Sequence, residues 1–297
     1  MILSIIFAFT AFSLFLGDAL PFGLLFSGLA AWCFLTRRRP APESPPARRK
    51  KLDFLRKPKT YKTPGGYIYS LYSDMMQQPH TLIAGATGSG KSVVISGIIH
   101  TVMHRPPFES KPNGAKLILI DPKRVELAQY RFLPHTILYA SEPEEMRDAL
   151  KYAMDLTEAR YKIMQEAGAR KYAGGDIYII IDEWADLYLT DRKHTGPLIQ
   201  RLAQIGRAAK VHVILATQTP IAKVLPTEIK CNFDARVGLR TRSASDSRNI
   251  IGKAGLETLP RYGKGYYMQP GSEKPYDIPM IPEAELEKLV AFWAAQR

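Results

Sequence analysis

Apolar positions are spaced very unevenly along the chain. Residues 1–36 are two almost uninterrupted apolar runs, 1–16 and 22–35, parted by Gly17-Asp18-Ala19-Leu20-Pro21. Drawn as one helix they would reach about 54 Å, well past the ~30 Å hydrocarbon core of a bilayer, so the break predicts a transmembrane hairpin of two short spans. Six prolines mixed with charges follow between Pro40 and Pro64, which rules out a helix or a packed core there. Beyond them the pattern becomes that of a folded domain. A short apolar run leading into Gly85, and others at 116–120, 177–181, 211–216 and 235–239, read as buried strands, and that at 177–181, Ile-Tyr-Ile-Ile-Ile, suits a strand covered on both faces. Helical stretches lie between them. One runs over 93–103. Another places Met146, Leu150, Ala153, Met154, Tyr161 and Met164 at three- and four-residue steps, opened by a Ser141-x-x-Glu144 capping box and closed by Gly168. A last helix at 283–296 puts Leu286, Leu289, Val290 and Trp293 on one face. Strands alternating with helices predict an α/β fold, a mostly parallel central sheet flanked by helices, joined by right-handed crossovers.

The 297 residues are 46% hydrophobic and 23% charged, a globular mixture that excludes a disordered chain. The net charge of +13 is localised: residues 37–63 hold eleven Lys/Arg against Glu43 and Asp53, while 1–36 contain only Asp18 among ionisable side chains, leaving +5 on 64–297. The basic balance therefore belongs chiefly to a segment beside the apolar one. Arg37-Arg38-Arg39 directly after the second run places the rest of the chain on the cytoplasmic side by the positive-inside rule. The expected division is a membrane hairpin at 1–36, a basic Pro-rich linker at 37–63 and a catalytic domain at 64–297, anchored to a bacterial inner membrane or a viral membrane. Two cysteines, Cys33 and Cys231, supply neither a disulfide framework nor a zinc site.

The chemistry is concentrated in a few motifs. Gly85-Ala86-Thr87-Gly88-Ser89-Gly90-Lys91-Ser92 fills the G-x-x-x-x-G-K-[ST] pattern between a strand and a helix, the context a phosphate loop needs. Its glycines let backbone N–H groups curl around phosphate oxygens, Lys91 reaches the β/γ-phosphates of ATP, and Ser92 ligates Mg²⁺. Asp182 and Glu183 end the 177–181 strand. Asp182 suits the Mg²⁺ ion, and Glu183 suits a base that polarises the attacking water. Asp121 and Gln218, also at strand ends, are expected to gather with them at the carboxyl edge of the sheet, Gln218 as a sensor of the γ-phosphate.

Several runs together resemble the FtsK/SpoIIIE DNA translocases: Leu119-Ile-Asp-Pro-Lys123-x-x-Glu126-Leu, Ile-Ile-Asp182-Glu183-Trp-Ala-Asp186-Leu, Arg201-Leu-Ala-Gln-Ile-Gly-Arg207-Ala-Ala-Lys-Val-His212, Leu215-Ala-Thr-Gln218, and the stretch from Arg240 to Gly271. The likeness covers residues 76–280. It implies a RecA-like P-loop motor that assembles as a homohexamer and moves double-stranded DNA with ATP, without sequence preference. It also implies that Arg207 is an arginine finger completing a neighbour's site, and that Lys223, Lys230, Arg236, Arg240 and Arg242 are candidate phosphate contacts on DNA. Viral genome packaging, conjugative transfer and chromosome pumping share all these motifs. Protein secretion by the same class of ATPase is the alternative from another class. With about a dozen residues between the basic linker and the P-loop strand and one helix after Pro282, reading of DNA orientation is not expected of this chain.

Overall fold

The computed structural model describes residues 68–105, 107 and 114–295. The hairpin at 1–36 and the linker at 37–63 lie outside them, and among the described residues no helix is long and apolar enough to cross a membrane.

Eight strands form one sheet: β1 (His80–Ala84), β2 (Ala115–Ile120), β3 (Thr136–Ala140), β4 (Asp176–Ile181), β5 (Val211–Thr217), β6 (Ala235–Leu239), β7 (Lys264–Gln269) and β8 (Ser272–Asp277). Their order is β3-β2-β4-β5-β1-β6-β7-β8. The first six are parallel and β7 and β8 are added antiparallel. The helices are α1 (Ile68–Gln77), α2 (Lys91–Met103), α3 (Pro143–Glu166), α4 (Trp184–Thr190), α5 (Arg192–Ala209), α6 (Thr227–Lys230), α7 (Ala244–Ile251) and α8 (Glu283–Ala294), with single 3₁₀ turns at Ala128–Tyr130 and Leu256–Thr258.

The twofold alternation of a strand explains why the central runs are apolar throughout. In β4, Ile177, Ile179 and Ile181 pack into a core shared with α3, α4 and α5, while Tyr178 and Ile180 face a second core built from α1, α2 and α8. Both faces are buried, so a polar group at either set of positions needs a partner, as the Tyr178 hydroxyl has in Arg105 Nη1 at 2.8 Å. Gly97 of α2 is where α1 crosses: a Cβ there would stand 2.1 Å from the ring of Tyr72, whose hydroxyl donates to Pro279 O at 2.7 Å. On the same face Trp293 of α8 donates from its indole to Met103 O at 2.8 Å, satisfying a carbonyl at the end of α2.

The five strands expected from the sequence are present, and three are added. The edge strand β3 and the hairpin β7–β8 were not expected, nor was α1. The capping box sits one residue later than expected: Glu142 is the N-cap and Glu145 closes the box, its carboxylate accepting from the Ser141 and Glu142 N–H groups at 3.1 and 3.2 Å. Pro143 at the first helical position fixes that register, because proline needs no hydrogen-bonded N–H there. The last helix ends at Ala294, two residues short of the expected limit.

Candidate nucleotide site

Six parallel strands all point their carboxyl ends the same way, and the motif residues follow from that. The phosphate loop leaves β1 in the middle of the sheet, flanked by β5 and β6. It is tied to both neighbours: Gly85 N–H donates to Thr217 O at 3.3 Å and Ala86 N–H to Arg240 O at 2.7 Å. Gly85 has no room for a side chain, since a Cβ would lie 2.6 Å from both Leu239 Cβ and Ser89 Oγ. Gly88 and Gly90 adopt φ of 71° and 99°, the left-handed region, and Gly90 caps α2 without a side-chain hydrogen bond. The first N–H groups of α2 thus have no intrahelical partner, and they carry the positive end of the helix dipole. Thr87 and Gly88 are exposed, Ser89 and Lys91 buried, and Ser92 half buried at the second position of α2.

The acidic residues of β4 close on this loop. Lys91 Nζ donates to Asp182 O at 2.6 Å and forms an ion pair with Asp182 Oδ1, both side chains being buried. Among the described residues, Asp182 Oδ2 is buried without a hydrogen-bond partner. A buried carboxylate oxygen left open, beside a lysine pre-placed at a helix N-terminus, is a donor set that fits a hard cation and a polyphosphate. Glu183, 1% exposed, is held from three directions: the Thr217 hydroxyl donates to Oε1 at 2.7 Å, Gln218 N–H to Oε1 and Oε2 at 3.1 Å each, and Lys123 Nζ to Oε2 at 3.3 Å. Gln218 in turn accepts from the Thr87 hydroxyl at 2.8 Å, which links β5 directly to the phosphate loop. Asp121, fully buried at the end of β2, accepts from Leu127 N–H at 2.9 Å through Oδ2, while its Oδ1 has no hydrogen-bond partner among the described residues.

The expected site residues 85–92, 182, 183 and 218 are therefore brought together. Arg207 is not among them. It is exposed in the last turn of α5, and Val211 follows at the start of β5, so it lies at the amino edge of the sheet, a strand's length (roughly 17–20 Å) from its own phosphate loop. Of the basic residues expected on DNA, Lys223, Arg240 and Arg242 are exposed. Lys230 and Arg236 are half buried and hydrogen-bonded within the domain. Lys230 Nζ donates to Asn249 Oδ1 at 2.7 Å, and burial lowers its pKa; the Arg236 guanidinium donates to Phe233 O and Ile250 O at 2.9 Å each. Both tie α6 and β6 to α7.

Two participants escaped the sequence reading. Lys123 stood only as part of a motif, and nothing in its spacing set it against Glu183, since the register between β2 and β4 is a property of the sheet. In the sequence Thr217 is only the end of a strand before Gln218, yet its hydroxyl makes the shortest hydrogen bond to Glu183 among the described residues.

The fold and this constellation define a P-loop ATPase. Residues 66–179 and 175–222 match the FtsK/SpoIIIE family, and the chain belongs to that family. It is 35% identical over 243 residues to the DNA translocase FtsK of Oceanobacillus iheyensis, covering 74% of this chain and 31% of that protein. It is 34% identical over 243 residues to the DNA translocase SpoIIIE of Bacillus subtilis, covering 74% of this chain and 30% of that protein. The chain thus spans about a third of the length of the curated relatives it matches. Among solved structures, the fold is similar to the pCW3 conjugation coupling protein TcpA with ATPγS (TM-score 0.62, 22% identity, 74% of this chain and 66% of that one). It is also similar to the cytoplasmic domain of the type VII secretion ATPase EccC of Thermomonospora curvata (TM-score 0.61, 22% identity, 72% of this chain and 28% of that one).

Proposed function

We propose that the chain is an ATP-driven motor that moves double-stranded DNA, acting as a homohexameric ring fixed to a membrane through residues 1–36. The observation that carries the hydrolytic half is the placement of Glu183, a buried carboxylate positioned by Thr217, Gln218 and Lys123 beside the Lys91–Asp182 pair. A nucleotide-gated switch has no use for a carboxylate so positioned. In this reading the phosphate loop and Lys91 hold ATP, Ser92 and Asp182 hold Mg²⁺, and Lys91 exchanges its contact with Asp182 for one with phosphate. The cation supplies charge neutralisation on the transferring phosphoryl group. Glu183 orients water, and Gln218, joined to Thr87 and to Glu183, couples the phosphate loop to the base.

Arg207 supports the ring. A guanidinium at the opposite edge of the sheet from its own nucleotide serves as a finger only for a neighbouring subunit. The DNA half rests on the relatives' names together with exposed Lys223, Arg240 and Arg242, which suit phosphate contacts without base reading. The test is the ATP turnover of the full chain with and without linear duplex DNA. Stimulation by duplex is expected, falling steeply with salt. Turnover indifferent to DNA would contradict the proposal and turn attention to a polypeptide substrate.

A further inference from the structure

Arg261 lies beside the phosphate loop although it is far from it in sequence. A Cβ built on Gly88 would stand 3.3 Å from Arg261 Nη2 and 3.5 Å from Nε, so the guanidinium lies against the exposed, left-handed turn of the loop. The segment that carries it is pinned on both sides. Leu256 is fully buried, with its N–H on Ser247 Oγ at 3.1 Å and its carbonyl accepting from Thr241 N–H at 3.3 Å; beyond Arg261, Gly263 O accepts from Ile278 N–H at 2.9 Å. Arg261 packs over the ring of Tyr262, 5.3 Å from its centroid, and Tyr262 is itself 64% exposed. Among the described residues no carboxylate pairs with Arg261. An unneutralised, planar, five-donor cation held over a phosphate cradle has an obvious class of counterion, since guanidinium binds phosphate oxygens bidentately.

We propose that Arg261 contacts the α/β-phosphates of the nucleotide in its own subunit, with Tyr262 as the shelf on which the guanidinium lies. The α/β-phosphates are the part of the ligand that the backbone of a phosphate loop cradles, so ADP and ATP share the contact. This deepens the nucleotide-site reading and rests on it. It also gives the subunit two arginines with separate addresses, Arg261 for its own nucleotide and Arg207 for a neighbour's. A contact made equally in the ground and transition states raises KM and leaves kcat nearly unchanged.

The test titrates the full-length chain with Mg²⁺-ADP and Mg²⁺-ATPγS and compares wild type with Arg261→Gln, Arg261→Lys and Tyr262→Ala. Arg261→Gln should weaken both ligands about tenfold and raise KM for ATP with little change in kcat. Arg261→Lys should recover part of the loss, and Tyr262→Ala should show a smaller effect of the same sign. The melting temperature of the ligand-free chain should not move, because Arg261 is exposed and, among the described residues, its side chain makes no hydrogen bond or ion pair. Unchanged ADP affinity in Arg261→Gln would overturn the proposal while wild-type binding keeps the nucleotide site intact. Weakened duplex DNA binding with unchanged ADP affinity would overturn it too, in favour of a nucleic-acid contact. A wild-type chain that does not bind ADP would overturn the nucleotide-site reading itself.

Discussion

Lys91 and Asp182 form a buried ion pair, and such a pair has two faces. It adds little stability over an apolar pair of the same shape, yet removing one partner strands a charge in the interior and costs roughly 3–5 kcal/mol. Lys91→Ala should accordingly lower the urea midpoint of the ligand-free chain as well as abolish turnover, so loss of activity in that variant alone does not isolate catalysis. Glu183→Gln is the cleaner change. The amide keeps an oxygen for the Thr217 hydroxyl and the Gln218 N–H but cannot take a proton from water, so ATP binding should persist while turnover falls about 10²–10⁴-fold; single-turnover hydrolysis beside equilibrium ATP binding reads the two separately. Protonation gives another residue-scale expectation. Burial above all lowers His80 to about 3 and His100 and His135 to about 4, with neighbouring His212 and His104 adding to the effect at the first two. The unfolded chain takes up those protons near their ordinary 6.5, so stability is full above that value and declines as pH falls from about 6.5 toward 4. Asp176 adds a lower window. Burial opposes its ionisation, but hydrogen bonds from His212 and Arg105 outweigh that and hold it at about 2, so its contribution is full above its ordinary 3.8 and lost as pH falls toward about 2. Melting temperature measured from pH 8 to 4 should drop below about pH 6.5; a flat profile would contradict the burial of these three imidazoles.

At the scale of elements, the sheet is held by helices whose contacts are specific. Gly97→Ala forces a methyl into the ring of Tyr72 and should cost about 1–3 kcal/mol by overpacking, read as a lower urea midpoint with unchanged slope. The same scale explains what the sequence made legible. The phosphate loop, the β4 acidic pair and strands β1, β2, β4, β5 and β6 were readable because a buried parallel strand is a continuous apolar run and a phosphate loop tolerates few residues. Strand β3, half buried along most of its length at the edge of the sheet, lacks that run. Strand β8, Ser-Glu-Lys-Pro-Tyr-Asp, is mostly exposed and carries Pro275, which an edge strand accommodates where a central one would not. Helix α1 is a short amphipathic piece whose role depends on a glycine twenty residues later. The internal hydrogen bonds of Lys230 and Arg236 were not legible, because a basic residue in sequence does not disclose which acceptors lie within its reach.

For the whole molecule, the expectations concern subunits acting on one another. With Arg207 at the amino edge and the phosphate loop at the carboxyl edge, Arg207→Ala should reduce turnover by about 10³-fold or more, and the defect should be complementable. Mixing Arg207→Ala with Lys91→Ala subunits pairs an intact finger with an intact phosphate loop at some interfaces, so mixed rings should regain a fraction of wild-type ATPase that neither variant shows alone. No recovery, together with full activity of Arg207→Ala by itself, would place Arg207 among ordinary surface charges. The central claim is that hydrolysis at Glu183 moves duplex DNA. Displacement of a third strand from a linear duplex tests it most directly, because only a protein that travels along the duplex strips the triplex. The full chain with ATP should displace the strand at a rate that depends on the length of duplex leading to it, and Glu183→Gln, although it binds ATP, should not. Displacement that is absent in the wild-type chain, or unaffected by Glu183→Gln, would contradict the account.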